Sequence, residues 1–133
     1  MSWDDGPHRI HIIGDRQAGK TDCALAYASM QMTLGGKVVY YTTNADMVNV
    51  LLDRYENSLL RPGQLLRRTK GNTSVREPNH GGELYFTTTR GSLDRFRGNP
   101  IGTVILDDAC AQWDDLMVEN IHPGVARVVR TVL

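Results

Sequence analysis

Gly14-Asp15-Arg16-Gln17-Ala18-Gly19-Lys20-Thr21 is the stretch on which the reading of this chain turns. It has glycine, four residues, glycine, lysine and threonine in that order, between a β-favouring run (Arg9 to Ile13) and a segment of helical period (Gly19 to Leu34). Each position has a physical task. The glycines let the backbone curl so that successive N–H groups point inward, and the helix that follows aims its positive end at the same spot. Lys20 supplies a mobile point charge for β- and γ-phosphates, and the Thr21 hydroxyl is an oxygen ligand suited to magnesium. The candidate phosphate-contacting segment therefore runs from Gly14 through Asp22. The alternative, a glycine-rich turn with a solvated lysine, does not account for the flanking strand and helix.

Outward from this loop the chain alternates. In the first helix Cys23, Tyr27, Met30 and Leu34 recur at three- and four-residue steps and are expected to form its buried face, with Gly35 and Gly36 as the stop. Val38 to Thr43 reads as a buried strand, and Asn44 as the cap of a helix with apolar positions Met47, Val48, Leu51, Leu52 and Tyr55. Periodicity fails from Asn57 to Gly82, which reads as a long functional insertion around a short strand at Leu65 to Arg67. Strand character resumes at Glu83 to Thr88, Ser92 to Phe96 suggests one helical turn, and Thr103 to Leu106 is a continuous apolar run. Trp113, Leu116 and Met117 predict a helical stripe. Val125, Val128, Val129, Val132 and Leu133 predict another, read as helix and not as strand. The expected fold is three-layer α/β/α with a mainly parallel sheet, in one domain over residues 1–133.

Thr103-Val104-Ile105-Leu106-Asp107-Asp108 ends an apolar strand in two carboxylates. Beside a phosphate loop this is the form of a Walker B segment, in which Asp107 holds magnesium and Asp108 orients and deprotonates the attacking water. Capping of the next helix by the same aspartates is the competing explanation.

Composition sets outer limits. Fifteen basic residues balance fifteen acidic ones, so there is no global field for nucleic acid or an anionic membrane, and any such partner must meet a local patch. No run approaches the roughly 20 apolar residues that cross a bilayer. The polar, acidic start lacks the pattern of a secretory signal. Cys23 and Cys110 lack the short spacing of a disulfide framework, so a cytoplasmic setting is expected. Cys110 reads as a small buried hydrophobe, and His8, His11, His80 and His122 lack metal-ligand spacing.

Arg16-Gln17-Ala18-Gly19-Lys20-Thr21 resembles the phosphate loop of phage large terminase subunits, the ATPases that pump DNA into capsids. Gly81-Gly82-Glu83-Leu84-Tyr85-Phe86, then Phe96-Arg97-Gly98, then Val104-Ile105-Leu106-Asp107-Asp108-Ala109 is similar to that family's order of strand, arginine-glycine turn and Walker B strand. The wider class is the additional-strand, catalytic-glutamate P-loop ATPases. The resemblance implies an ATP-binding, magnesium-dependent ATPase of DNA-handling type, of phage origin and acting in the host cytoplasm. It gives Lys20, Asp108 and Arg16 catalytic roles, with Arg16 steadying γ-phosphate charge from within the same subunit. DNA is the implied polymer, met through the basic segments 61–76 (Arg61, Arg67, Arg68, Lys70, Arg76) and 90–97 (Arg90, Arg95, Arg97). Arg127 and Arg130, placed on a terminal helix, offer themselves as fingers toward a neighbouring copy or partner protein, against a plain helix surface as the alternative.

Two departures from the family's pattern favour a rival, a weakly hydrolysing or non-hydrolysing nucleotide-binding assembly module. Asp108 stands where the family has glutamate and reaches roughly 1 to 1.5 Å less far, so slow hydrolysis is expected. The twenty-five residues after Asp108 read as two helices, leaving no strand between the two Walker strands and no room for a nuclease domain. A complete packaging motor is therefore not expected. A small-molecule kinase is disfavoured by the paired aspartates and the lack of an evident lid.

Overall fold

The computed structural model describes residues 7–13, 18–69, 72–90, 96, 100–107, 110 and 112–132. Seven strands form one sheet in the order β1-β7-β6-β2-β5-β4-β3. These are β1 (His8–Ile13), β2 (Lys37–Thr42), β3 (Leu65–Thr69), β4 (Asn72–Glu77), β5 (Gly82–Thr88), β6 (Thr103–Leu106) and β7 (Arg127–Val132). From β1 to β5 across the sheet every pairing is parallel, and the β3–β4 and β4–β5 pairings are antiparallel. The architecture is the expected α/β class with a mainly parallel sheet.

Helices α1 (Ala18–Thr33) and α2 (Ala45–Ser58) cover one face, where Leu25, Met32, Leu51, Leu52 and Tyr55 pack on Val38, Tyr40, Leu84, Phe86, Ile105 and Val129. The short α3 (Asp115–Ile121) belongs to the other face, where Val118, Trp113, Cys110 and Phe96 meet Val39, Tyr41, Tyr85, Val104, Leu106 and Val128. Covering on both sides explains the sequence of β2 and β6. A strand buried on both faces must be apolar at every position instead of alternating. Capping is as expected at α2, where the Asn44 side chain accepts from the Met47 N–H; at α3 the cap is Asp114, which accepts from the Met117 N–H. Gly35 ends α1 with φ of 94°, a conformation that suits glycine.

Four expectations are corrected. Val128, Val129 and Val132 form β7 and not a helix, with Val125 ahead of the strand and Leu133 outside the described residues. Their spacing of three and four satisfies a helical period, but a strand covered on both faces also places valines at adjacent positions, and β-branched side chains favour the pleated form. Second, the segment from Leu65 to Glu77 is no loop with a fragment of strand: it is the β3–β4 hairpin, continuous with the sheet. Its polar strands hid it, because β3 is an edge with exposed side chains. Third, α1 buries Ala24, Leu25, Ala28 and Met32, whereas Met30 is 51% and Leu34 75% exposed and Cys23 faces outward. The helix is apolar nearly all round, so spacing did not fix its inner face; the small alanines let it lie close to the sheet. Fourth, Trp113 precedes α3 and is buried, while Leu116 and Met117 on the helix are exposed and Val118 points inward. The expected turn at Ser92 to Phe96 lies outside the described residues except for Phe96.

A buried polar chain ties the hairpin to the helices. Tyr55 OH donates to Gln64 Oε1 at 3.0 Å, and Gln64 Nε2 lies 3.5 Å from Glu77 Oε1. Burial raises the Tyr55 phenol above its ordinary value, against the lowering effect of its bonds to Ser29 and Gln64, so this hydroxyl stays a donor.

Candidate functional site

Parallel pairing puts the carboxyl ends of β1, β7, β6, β2 and β5 along one edge of the sheet, where open α/β sheets bind ligands. The topology also reverses there. From β2 the chain goes through α2 and the hairpin to β5, then returns past β2 to β6 and on to β7.

Two groups of expected site residues meet at that edge. The first is the amino-terminal turn of α1, which begins five residues after β1 ends. It carries Gly19, Lys20 and Thr21; Lys20 is only 7% exposed and Thr21 is half-buried. A helix start aimed past a strand end presents unpaired N–H groups and partial positive charge. Gly14, Asp15, Arg16 and Gln17 lie outside the described residues, as does Asp108. Asp22 is drawn aside: its carboxylate lies 3.4 Å from the Arg54 guanidinium on α2, in an exposed pair.

The second group is built around Asp107, the first residue after β6. Thr42, the last residue of β2 and fully buried, donates from Oγ1 to Asp107 Oδ2 at 2.5 Å. The Cys110 thiol lies 3.5 Å from Oδ1 and 3.7 Å from the Tyr41 carbonyl oxygen. In the backbone, Asp107 N–H donates to Tyr41 O, and Cys110 N–H donates to Asp107 O. Both carboxylate oxygens thus have a neighbour on the protein side, and the half-buried group is fixed in direction.

β7 lies between β1 and β6, so their axes are separated by roughly 10 Å, two strand spacings. The register aligns Ile13 with Val132, and Leu106 with Arg130. The expected lack of a strand between β1 and β6 is thereby corrected.

Under the edge lies an aromatic cluster. Tyr41 packs against Trp113 with ring centroids 4.9 Å apart, and its hydroxyl bonds His122 Nε2 at 2.6 Å. Burial pushes the His122 imidazole down to about 4, so it is neutral at pH 7. Burial, and secondarily the Asp107 charge, pushes the Cys110 thiol up to about 12, which leaves it without nucleophilic character, as expected of a small core residue.

The arginines sort themselves by position. Arg127 and Arg130 lie on β7, not on a helix; Arg130 donates to the Trp113 carbonyl and pairs with Asp115 at 3.0 Å, which ties it down within its own subunit. Arg68 is held by Asp53 and Glu56 of α2. Arg61, Arg67, Arg76 and Arg90 are exposed, and Lys70, Arg95 and Arg97 lie outside the described residues.

Thr42 was missed in the sequence, where it reads as one more β-branched strand residue. Only the adjacency of β2 to β6, a long-range pairing, brings it to Asp107. Among the described residues no group of three or more His, Cys, Asp or Glu side chains stands ready for a metal. One carboxylate and threonine hydroxyls are nonetheless hard oxygen donors of the kind magnesium takes, with water and phosphate completing its shell. No described helix is long and apolar enough to cross a membrane.

No protein-family profile and no curated protein matches the chain. Among solved structures it is similar to the large terminase ATPase domain of Thermus phage P74-26, in an arginine-to-alanine mutant form, with a TM-score of 0.57 and 16% identity. The match covers 96% of this chain and 60% of the length of that one. At that identity the likeness is one of fold: a terminase-ATPase-like sheet with its helices.

Proposed function

We propose that this chain is an ATP-binding, magnesium-dependent ATPase domain of terminase-like, DNA-handling type, phage-derived and working in the host cytoplasm. The observation that carries the reading is the pairing, at one sheet edge, of the α1 amino-terminal turn bearing Lys20 and Thr21 with the Asp107 carboxylate held by Thr42. One end suits the phosphates of a triphosphate, the other a hard cation beside them.

Each residue has a role in this reading. Backbone N–H groups from Gly14 to Thr21 and the Lys20 ammonium bind the phosphates, with Asp22 at the rim. Thr21 and Asp107 hold the metal, which supplies charge neutralisation on the phosphate oxygens. Thr42 directs Asp107. Asp108 orients the attacking water and takes its proton, and Arg16 steadies charge on the departing phosphates. DNA is the proposed polymer, through basic residues in 61–76 and 90–97, and further copies or a partner protein complete the assembly.

A phosphate-release assay with and without DNA tests this. Turnover that vanishes in Lys20→Ala is expected, and wild-type activity no higher than that variant's overturns hydrolysis. The rival module, which binds ATP without appreciable turnover, now rests on Asp108 alone, since β7 fills the position between β1 and β6. Tight ATP binding together with negligible phosphate release would select it.

A further inference from the structure

We propose that the β3–β4 hairpin presents a polynucleotide-docking face built on Arg67 and Arg76, and that Arg68, their neighbour in sequence, takes no part in it. The inference deepens the DNA-handling part of the function above and rests on that part, not on ATP turnover.

Strand alternation separates the three arginines. Leu66, Val75 and Leu84 lie side by side across β3, β4 and β5 and pack into the core beneath α1 and α2. Arg68, two residues from Leu66, shares that face, and its guanidinium reaches Asp53 and Glu56 of α2. These carboxylates raise the Arg68 pKa further, so its charge is permanent and already neutralised. Arg67 stands opposite Ser74, and Arg76 opposite Leu65, on the other face. They are diagonal neighbours, with Cα atoms roughly 7 to 8 Å apart.

Among the described residues no helix or core cluster lies over that second face at the hairpin, where Ser74 is buried and the two arginines beside it stay exposed. The cluster that covers it elsewhere draws on β2, β5, β6 and β7, with no residue from β3 or β4. Leu65 is 55% exposed, and Arg67 and Arg76 are exposed. Among the described residues neither arginine has a hydrogen-bond or ion-pair partner. The acid placed to neutralise Arg76 is Glu83, its register partner on β5. Glu83 is committed elsewhere: Lys37 Nζ lies 3.2 Å from one carboxylate oxygen, and Tyr85 OH donates to the other at 2.8 Å. Arg67 and Arg76 are then the only charged side chains that β3 and β4 place on this face.

Two unpaired guanidinium forks side by side suit phosphate oxygens, which they bind through paired N–H donors. No exposed aromatic ring stands on the hairpin for a base to stack on. The face therefore grips backbone and does not read sequence. With zero net charge on the whole chain, binding depends on this patch and must be strongly sensitive to salt.

Fluorescence anisotropy with a labelled duplex and a labelled single strand, without nucleotide and over a salt series from about 50 mM, tests the face. The wild type is compared with Arg67→Ala/Arg76→Ala and with Arg68→Ala, and circular dichroism checks that each is folded. The double variant is expected to lose about tenfold or more in affinity at the lowest salt. Its log–log salt slope on duplex should be shallower by roughly 1.8, that is two phosphates at about 0.9 each. Arg68→Ala should bind within about twofold of wild type. Unaltered binding by the double variant overturns the proposal, as does a wild type that binds neither polymer. Equal competition by polyglutamate also overturns it, because the face would then recognise acidity and not phosphate. ATP binding by the double variant, measured separately by calorimetry, should match wild type, so failure of the ATPase reading is distinguishable from failure of this one.

Discussion

The Thr42 hydroxyl donates to Asp107 Oδ2 across the β2–β6 pairing, from a position wholly shut off from solvent. A carboxylate meant to hold a cation must keep its direction before the cation arrives, and outer-shell hydrogen bonds do this. Thr42→Val keeps the shape and deletes the donor. Under the proposed ATPase function, turnover should fall about 10- to 100-fold, with more magnesium needed for half-maximal rate, and stability should drop by about 1 to 3 kcal/mol. Thr42→Ser should restore most of the activity. An unchanged magnesium dependence in Thr42→Val would remove Thr42 from the site.

The two cysteines should behave oppositely toward alkylation. Cys110 is fully buried, with burial and the nearby Asp107 charge pushing its thiol up to about 12, while Cys23 is exposed on α1. At pH 8 a maleimide should modify Cys23 quickly in the native protein, and Cys110 only as fast as the fold opens. Mass spectrometry of Cys23→Ser reads Cys110 alone; rapid labelling there would contradict the packing around Asp107.

Local physics made some of this molecule legible and long-range pairing hid the rest. The order β1 then α1, and the strand β6 ending at Asp107, could be read because their signals are contiguous: a β-favouring run passing into helical period, or an apolar run ending in a carboxylate. The cap at Asn44 depends on three-residue geometry and is equally local, whereas the cap of α3 falls to Asp114, which the sequence reading did not single out. β7 was unreadable because Val128, Val129 and Val132 satisfy two periods at once, and only the place between β1 and β6 selects the strand. The hairpin failed for the opposite reason. Its strands draw their order from the ladder to β5 and offer little hydrophobic alternation. Thr42 carried no signal at all, since a threonine ending a strand is ordinary until the neighbouring strand is known.

At Gly82 the end of α1 comes very close to the sheet. A Cβ there would stand 1.9 Å from the Met32 carbonyl oxygen, a backbone atom that cannot swing away. Gly82→Ala must push the end of α1 off β5, and a loss of at least about 2 kcal/mol is expected, read as a fall in melting temperature on the order of 10 °C. Gly102→Ala is the control, because its Cβ meets only Lys37 O, at 3.9 Å. Its cost should stay under about 1 kcal/mol. Equal melting points for the two variants would refute the close approach.

His122 should make the fold sensitive to mild acid. The imidazole is 3% exposed, bonded through Nε2 to Tyr41 OH and packed against Phe96 with ring centroids 5.5 Å apart. Burial lowers its pKa from 6.5 to about 4. Above pH 6.5 folded and unfolded chains both hold it neutral, and it adds no pH dependence. As pH falls from 6.5 toward 4 the unfolded chain takes up the proton and the folded chain resists it, so stability is lost across that interval, by about 3 kcal/mol in all. Below 4 the folded form protonates too and this contribution levels off. Asp115 acts in a different window. Burial alone would raise its pKa, but the bonds from Arg130 and Arg9 outweigh that and lower it, so its stabilising effect is lost only under more acidic conditions, below the ordinary value of 3.8. Denaturant midpoints at steps between pH 7.5 and 4.5 should therefore decline for wild type, and the decline should be much shallower in His122→Gln, whose amide offers both a donor and an acceptor to Tyr41 OH. A slope that survives the substitution would assign the acid sensitivity to other groups and sever it from the cluster beneath Asp107.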